Sequence, residues 1–180
     1  MKNLSVRKIT TCAVLSSLAL ISFMLENLLP PLLLPGARLG LSNIFILLSS
    51  LILGWGYGYA TLLVKVTLGS IFAGNFSALL YSLPAGILSL SIELLLIFLV
   101  KRVSIVATSI AGATLNITVQ NLVFCLITGY QEYLSYLPYL SLIGIGSGLI
   151  VGLVTHLIIK KVNFNFLNKD IIKTQENNIE

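Results

Sequence analysis

The sequence is poor in charge, because only 9% of its 180 residues are Asp, Glu, Lys or Arg while 57% are hydrophobic. Soluble domains carry about 25% charged residues, so this chain cannot cover itself with a wettable surface. Its mean hydropathy of +1.00 agrees with that conclusion. The shortage of charge excludes an ordinary soluble protein and predicts an integral membrane protein whose first partner is the lipid bilayer.

Aspartate is also scarce, since Asp170 in the polar C-terminal stretch is the single example. Enzymes that hold a diphosphate through Mg²⁺ supply several carboxylate oxygens to the metal. The sequence contains no Walker A, CxxC, HExxH or nucleophile-elbow pattern either. We therefore predict no catalytic residue, no metal site and no cofactor. The two cysteines, Cys12 and Cys125, fall near opposite membrane faces and are predicted to be packing residues, not a disulfide.

Long apolar runs are abundant, and a helix that crosses a bilayer needs about 20 apolar residues. The runs are continuous, which favours helices over alternating barrel strands. The first run follows a basic start but ends without a small-residue cleavage site, which favours an uncleaved signal anchor over a signal peptide. The predicted fold is all-α: a six-transmembrane-helix bundle over 1–161 and a polar tail over 162–180, disordered or interfacial. The predicted spans are 9–25, 41–54, 57–73, 77–100, 104–128 and 137–159.

Prolines and glycines predict the connections between these spans. Residues 28–40 hold three prolines and cannot form a continuous helix, and 55–58 and 129–136 are predicted to be a turn and a loop. Pro84 is predicted to kink the fourth span. Four glycines of the sixth span are predicted to lie on one side and to allow close helix packing; they are Gly144, Gly146, Gly148 and Gly152.

The positive charges predict the orientation of the bundle. With the amino terminus inside, nine of the 11 Lys and Arg residues fall in cytoplasmic segments and the external loops hold Arg38 alone. Because Lys and Arg collect on the cytoplasmic side of membrane proteins, both termini are predicted to be cytoplasmic. This topology explains the net charge of +5 without a nucleic-acid partner.

One cation, Lys65, lies near the middle of the third span. A Lys at that depth costs at least roughly 2.5–3.5 kcal/mol on insertion scales. Lys65 and Glu93 are each predicted to lie eight residues, roughly 12 Å, above the cytoplasmic ends of consecutive antiparallel helices. We therefore predict a buried pair, which is either structural and fixes the helix register or functional and faces a wet cavity that handles a charged solute or a proton.

A second polar cluster is predicted nearer the external side. Asn116 and Gln120 are four residues apart on one helix face, and Arg38 and Asn43 are expected at the same level. Amides with one cation suit a pocket for a neutral or anionic solute, and the alternative is hydrogen bonding between helices. The predicted substrate-binding residues are Arg38, Asn43, Lys65, Glu93, Asn116, Gln120 and Asn121.

The first span is rich in small residues, with Ala13 and Ser17 in the small-xxx-small spacing that lets another helix approach closely. The approaching helix belongs either to the same bundle or to a partner protein. The sequence alone leaves these two possibilities open.

Three strings carry a family resemblance: PGARLGLSN at 35–43, KVTLGS at 65–70 and LYSLPAG at 80–86. On these strings, and over about 29–152, the sequence resembles the Gx transporters, a family also described as heptaprenyl diphosphate synthase component I. Members often have arginine where this chain has Lys65. Several have a His-Asn pair where it has Asn116-Ile117, so the ligand chemistry at Asn116 stays open, whereas Gln120 is kept.

The resemblance implies a protein similar to the substrate-binding S components of energy-coupling-factor transporters, which are multi-pass proteins of the bacterial plasma membrane. It implies a solute site near the external side, an external loop as a lid, and ATPase and coupling membrane subunits as partners. Ala13 and Ser17 would dock on the coupling subunit, with Ser17 replacing the usual alanine. Some relatives accompany flavin-dependent electron transfer, which makes a flavin or a similar vitamin-like molecule a candidate solute. The alternative is a non-catalytic membrane partner of a heptaprenyl diphosphate synthase.

Overall fold

The structure, a computed structural model, describes residues 2–28, 40–100 and 103–161, with side chains over 6–27, 40–100 and 103–161. These ranges fold into six α-helices and one short 3₁₀ segment, which confirms the all-α prediction. The helices are α1 (Lys2–Leu28), α2 (Ser42–Leu53), α3 (Trp55–Phe72), α4 (Ser77–Leu99), α5 (Ile105–Thr128) and α6 (Leu137–Lys161), and the 3₁₀ segment is Gln131–Tyr136. The predicted tail over 162–180 lies outside the described residues.

Four stretches are long and apolar enough to cross a membrane: Val6–Asn27, Ser77–Leu99, Ile105–Thr128 and Gln131–Lys161. The helices turn large apolar side chains outward, as at Leu126 and Leu142, which are 83% and 66% exposed. Polar side chains are buried instead, and Ser49, Thr61 and Thr108 are fully enclosed. An apolar exterior around a partly polar interior is the arrangement that lipid requires, so the chain is a membrane protein.

The short helix α2 is the centre of the bundle, and ten of its 12 residues are buried. Its Ile44 and Leu48 pack with α1 and α6, its Ile46 with α3 and α4, and its Leu47 with α4 and α5. A helix that is apolar all round is stable only when other elements cover every face. The sequence of α2 therefore fixes its central position.

One residue, Gly54, connects α2 to α3, and its φ of 114° is one that L-residues rarely adopt. The predicted turn at 55–58 is therefore wrong, because Trp55 begins α3 and Gly58 belongs to that helix. A Cβ at Gly58 would lie 2.5 Å from the Cβ of Ser50, so the two helices touch directly after the turn. As a result α3 begins two residues earlier than the sequence predicts.

The predicted loop at 129–136 is also more regular than expected. Gly129 ends α5 in the left-handed conformation, with φ of 75°. The chain then forms the 3₁₀ segment and enters α6 at Leu137, followed directly by Pro138. Proline is well suited to a first helical turn, where its missing N–H leaves no bond unmade.

Three of the four predicted glycines press α6 against α5. A Cβ would lie 2.9 Å from the Cα of Thr114 if added at Gly144, 2.5 Å from that of Ile110 at Gly148 and 2.6 Å from that of Val106 at Gly152. Gly146 differs, because a Cβ there would meet nothing within 4 Å. The close packing is confirmed for three glycines, and the placement of Gly146 on the same side is wrong.

Replacing Gly148 by alanine is expected to lower the unfolding free energy by about 1–3 kcal/mol, because the new methyl group must push the α5 backbone away. Gly146→Ala is the matched control, since its methyl group enters open space on the same helix. Unfolding by SDS titration in mixed micelles measures both variants. Equal stability of the two variants would contradict the close α5–α6 contact.

Candidate functional site

A small polar cavity, here called the inner cavity, lies where all six helices meet. Its volume is about 60 Å³, well below the roughly 300–1,000 Å³ of small-molecule sites. The charged and polar side chains that line it are Glu26, Ser42, Asn43, Lys65, Ser70, Ser82, Asn116, Gln120 and Ser147. Four predicted substrate-binding residues are thus brought to one place: Asn43, Lys65, Asn116 and Gln120.

Lys65 is 8% exposed, and its side chain reaches into this cavity from α3. Its Nζ donates a 2.9 Å hydrogen bond to Oδ1 of Asn43 and lies 5.6 Å from the ring centroid of Phe23. A hydrogen-bond acceptor and the face of an aromatic ring both stabilise an ammonium group that is withdrawn from water. The cation therefore faces the protein interior, as predicted.

The Asn43–Lys65 contact follows from the α2–α3 hairpin. Asn43 lies ten residues before Leu53, and Lys65 lies ten residues after Trp55, so both lie about 15 Å from the turn at Gly54. Equal depth on antiparallel neighbours brings the two side chains together. Once the turn is placed at Gly54, the sequence itself shows that Asn43 and Lys65 are equally far from it.

The predicted Lys65–Glu93 pair is not formed, because no ion pair joins these two side chains in the ranges that the structure describes. Tyr59 of α3 bonds to Ser91 of α4, and Leu62 lies against Gly86, which sets the register of these two antiparallel helices. Glu93 is therefore level with about residue 57, roughly 12 Å or two helical turns from the level of Lys65. Glu93 instead packs against α5, where any side chain at Gly112 would collide with its carboxyl group.

The carboxylate that shares the inner cavity with Lys65 is Glu26 of α1, which the site prediction does not include. It accepts hydrogen bonds from the backbone N–H of Gly40 at 3.2 Å and of Ser42 at 3.1 Å. These groups lie at the start of α2, where the helix dipole favours a negative charge. The carboxylate of Glu26 thus caps the start of α2. The sequence signal for this cap is an acidic residue within an apolar run that precedes a short helix.

The three amides of α5 have different positions. Asn116 lines the inner cavity, and Gln120 lines it while donating a 3.0 Å bond to Oγ of Ser82. Asn121 is directed elsewhere: its Nδ2 donates to the backbone oxygen of Tyr133 at 3.4 Å, and its Oδ1 accepts from Sγ of Cys125 at 3.2 Å. Asn121 thus ties the 3₁₀ segment to α5.

A second, larger cavity adjoins the first and shares Ile117 and Gln120 with it. This outer cavity has a volume of about 640 Å³, within the roughly 300–1,000 Å³ of small-molecule sites. Besides the two shared residues, four aromatic, one aliphatic and three polar side chains line it, namely Tyr81, Phe124, Tyr133, Tyr136, Leu140, Asn121, Glu132 and Ser135. The outer cavity is thus large and partly aromatic, and the inner cavity that adjoins it is small and polar.

The aromatic lining was not predicted, although its signal is present in the sequence. Tyr133 and Tyr136, which line the outer cavity, are three residues apart, and a 3₁₀ helix has three residues per turn. Side chains at that spacing lie on one face of the segment. Reading residues 129–136 as an irregular loop hides this pattern.

Arg38 lies outside the described residues, so its role as a substrate ligand stays a prediction. Ala13 and Ser17 are both exposed on α1, and the Ser17 hydroxyl donates to the backbone oxygen of Ala13 within the helix.

The Asn43–Lys65 bond is tested by a double-mutant cycle. Asn43→Leu removes the acceptor of a bond to a charged group, so the unfolding free energy is expected to fall by about 1.5–3 kcal/mol. The variant that combines Asn43→Leu with Lys65→Met is expected to lose less than the sum of the two single changes, because neither polar partner is left in the cavity. SDS-titration unfolding measures the cycle.

The matched control is a second cycle that uses Asn75 in the place of Asn43. Asn75 caps the first turn of α4 by accepting from the N–H of Ala78. The effects of Asn75→Leu and Lys65→Met are expected to add. Additive behaviour in the Asn43–Lys65 cycle as well would show that the two side chains are not coupled.

Comparison with known proteins is informative at the level of the family. No curated protein and no solved structure gives a significant match to the chain. The family model for heptaprenyl diphosphate synthase component I matches residues 15–158, which include every lining residue of both cavities. The chain therefore belongs to the heptaprenyl diphosphate synthase component I family.

Proposed function

We propose that this chain is the solute-binding membrane component of an energy-coupling-factor-type transporter. The observation that carries the proposal is the pair of adjoining cavities inside the bundle, one roomy and aromatic and the other small and polar with Lys65 in its wall. Buried ionisable groups are costly in a membrane protein and mark the path or the site of a substrate.

The proposed topology has six spans and cytoplasmic termini, with α2 as a short span buried among the others. The Gly54 turn is then cytoplasmic, and Asn43 and Lys65 lie about 15 Å above it, near the middle of a hydrocarbon core of about 30 Å. The 3₁₀ segment and the outer cavity lie on the external side. A solute therefore enters from outside, through the outer cavity, and reaches Lys65 last.

The proposed ligands of the solute are the residues that line the two cavities. Lys65 and Asn116 face the polar end, and Gln120 lies where the cavities join. The ammonium group favours a neutral or anionic solute, and a flavin or similar vitamin-like molecule is the candidate that the family resemblance supplies. Arg38 remains a proposed ligand, whereas the packing of Glu93 against α5 supports a structural role for it.

The proposed docking surface for the coupling subunit is the outer face of α1 around Ala13 and Ser17. Both residues are exposed, and the Ser17 hydroxyl is already bonded within its own helix. A helix from another subunit can therefore approach closely without leaving a polar group unpaired. The ATPase subunits would join through the coupling subunit.

A second candidate function is that of a non-catalytic membrane partner of a heptaprenyl diphosphate synthase. The observation in its favour is the family description, because a component I implies a second component. The single aspartate of this chain leaves the diphosphate chemistry to that partner. The two functions predict different proteins bound to the chain.

Affinity purification from the native membrane in mild detergent distinguishes them. A coupling membrane subunit and two ATPases are expected to co-purify with the wild-type chain. Replacing both Ala13 and Ser17 by leucine should reduce that recovery severalfold, because the added bulk keeps the partner helix away. Val14→Leu, at an exposed and already bulky neighbour, is the control and should have no effect. Recovery of a soluble prenyl synthase without ATPases would support the second function instead.

The solute itself is expected to stay bound through mild extraction, and mass spectrometry of the released small molecules identifies it. Lys65→Met should lower the amount of bound molecule at least about tenfold, and Lys65→Arg should retain most of it because the charge is kept. Lys160→Met, at an exposed lysine outside both cavities, is the control. Equal amounts in wild-type protein and Lys65→Met would contradict a role for Lys65 in binding.

A further inference from the structure

We propose that the outer cavity is a ring-binding subsite: it takes a flat heteroaromatic group whose single acidic substituent points inward to Lys65. This inference rests on the proposed solute-binding function and specifies the chemical class of the solute. It follows from how the rings of the outer cavity are arranged, from the difference in size between the two cavities and from the positions of their charges.

The rings of the outer cavity form a connected series. Phe124 contacts Tyr81 with ring centroids 5.7 Å apart and an interplanar angle of 87°, and it contacts Tyr133 at 5.3 Å and 80°. Tyr133 in turn contacts Tyr136 at 6.2 Å and 52°. None of these pairs is stacked face to face. In such edge-to-face pairs the edge of one ring covers one face of its partner, so the rings hold one another at steep angles and each pair leaves the remaining faces unstacked by its partner.

These rings differ from the aromatic residues that anchor membrane proteins at the interface. Tyr81, Phe124 and Tyr133 are only partly exposed and line a cavity. Tyr139 is 64% exposed and lines neither cavity, as expected of an interfacial anchor. Asn121 also holds Tyr133 in place, because its side chain donates a hydrogen bond to the backbone oxygen of Tyr133. A fixed group of inward-facing rings is suited to binding a flat ring by stacking.

The sizes and charges of the cavities orient the solute. The outer cavity, at about 640 Å³, has room for a ring system, whereas the inner cavity, at about 60 Å³, has room for one small substituent. In the inner cavity the carboxylate of Glu26 is held by the N–H groups of Gly40 and Ser42 at the start of α2, and Lys65 favours an acidic substituent. Glu132 in the outer wall accepts hydrogen bonds from ring N–H or amino groups. The combination describes a flat, donor-bearing heterocycle with one acidic arm.

The test uses pterin-6-carboxylate, a flat fluorescent heterocycle with ring donors and one carboxylate, with the protein in nanodiscs and empty nanodiscs subtracted. The wild-type chain is expected to bind it. Phe124→Leu and Tyr133→Leu should each weaken binding at least about tenfold, because stacking on an aromatic side chain contributes affinity of that order. Phe124→Trp should retain binding, and this variant separates the loss of a ring from a loss of folding.

Matched controls come from exposed aromatic residues outside both cavities. Phe76→Leu and Tyr139→Leu should bind pterin-6-carboxylate like the wild type, since Phe76 and Tyr139 are 65% and 64% exposed. Two altered probes test the two halves of the solute. The tetrahydro derivative, whose reduced ring is not flat, and 6-methylpterin, which lacks the carboxylate, should each bind at least about tenfold more weakly.

Three outcomes would overturn the inference: no binding by the wild type, equal binding of flat and reduced rings, or unchanged binding by Phe124→Leu. If a small molecule still co-purifies in a Lys65-dependent manner, the proposed solute-binding function survives without the ring subsite. If no molecule co-purifies and farnesyl diphosphate binds instead, both the inference and the transport function fail in favour of the synthase partner.

Discussion

The structure depends on keeping one ammonium group inside a bundle that lipid surrounds. Lys65 meets the Asn43 amide at 2.9 Å and the Phe23 ring at 5.6 Å, and a carboxylate, Glu26, lines the same cavity. Phe23 and Glu26 belong to α1, Asn43 belongs to α2 and Lys65 itself belongs to α3. The cost of burying the charge is therefore offset by groups whose positions fix how the first three helices assemble.

The same constraint explains the unusual form of α2. A helix that begins inside the bundle leaves its first backbone N–H groups without acceptors in an apolar surrounding, unless another group supplies them. The carboxylate of Glu26 accepts from two of the N–H groups at its start, those of Gly40 and Ser42. The cap allows α2 to begin at the level of the inner cavity. Asn43 is in the first turn of α2, so this start places it beside Lys65. The short helix and the polar site are thus parts of one arrangement.

The helices could be predicted from the sequence because each is a continuous apolar run, and α4 and α5 end within one residue of their predicted limits. The burial of Lys65 and the lining positions of Asn43, Asn116 and Gln120 followed from the rarity of polar groups in such runs. These features depend on composition along the chain, which is what a sequence displays directly.

The features that were missed depend on small offsets between helices. Lys65 and Glu93 lie about two turns apart along the packed α3–α4 pair, and the earlier start of α3 at Trp55 accounts for only two residues of that offset. The rotation of α4, which turns Glu93 toward Gly112, is set by packing and has no signature along the chain. The aromatic lining of the outer cavity was missed for another reason. The spacing of its tyrosines places them on one face only if residues 131–136 form a 3₁₀ helix.

The glycine-lined contact between α5 and α6 determines which wall of the outer chamber is able to move. Both ends of the 3₁₀ segment are attached to this tightly joined pair of helices, and Asn121 holds the segment from beneath. Its tyrosines are therefore carried with a rigid body. The opposite wall is α4, where Tyr81 precedes Pro84 by three residues and a main-chain hydrogen bond is missing. Any change in the width of the outer cavity accordingly falls to a bend in α4, with α5 and α6 as the fixed frame.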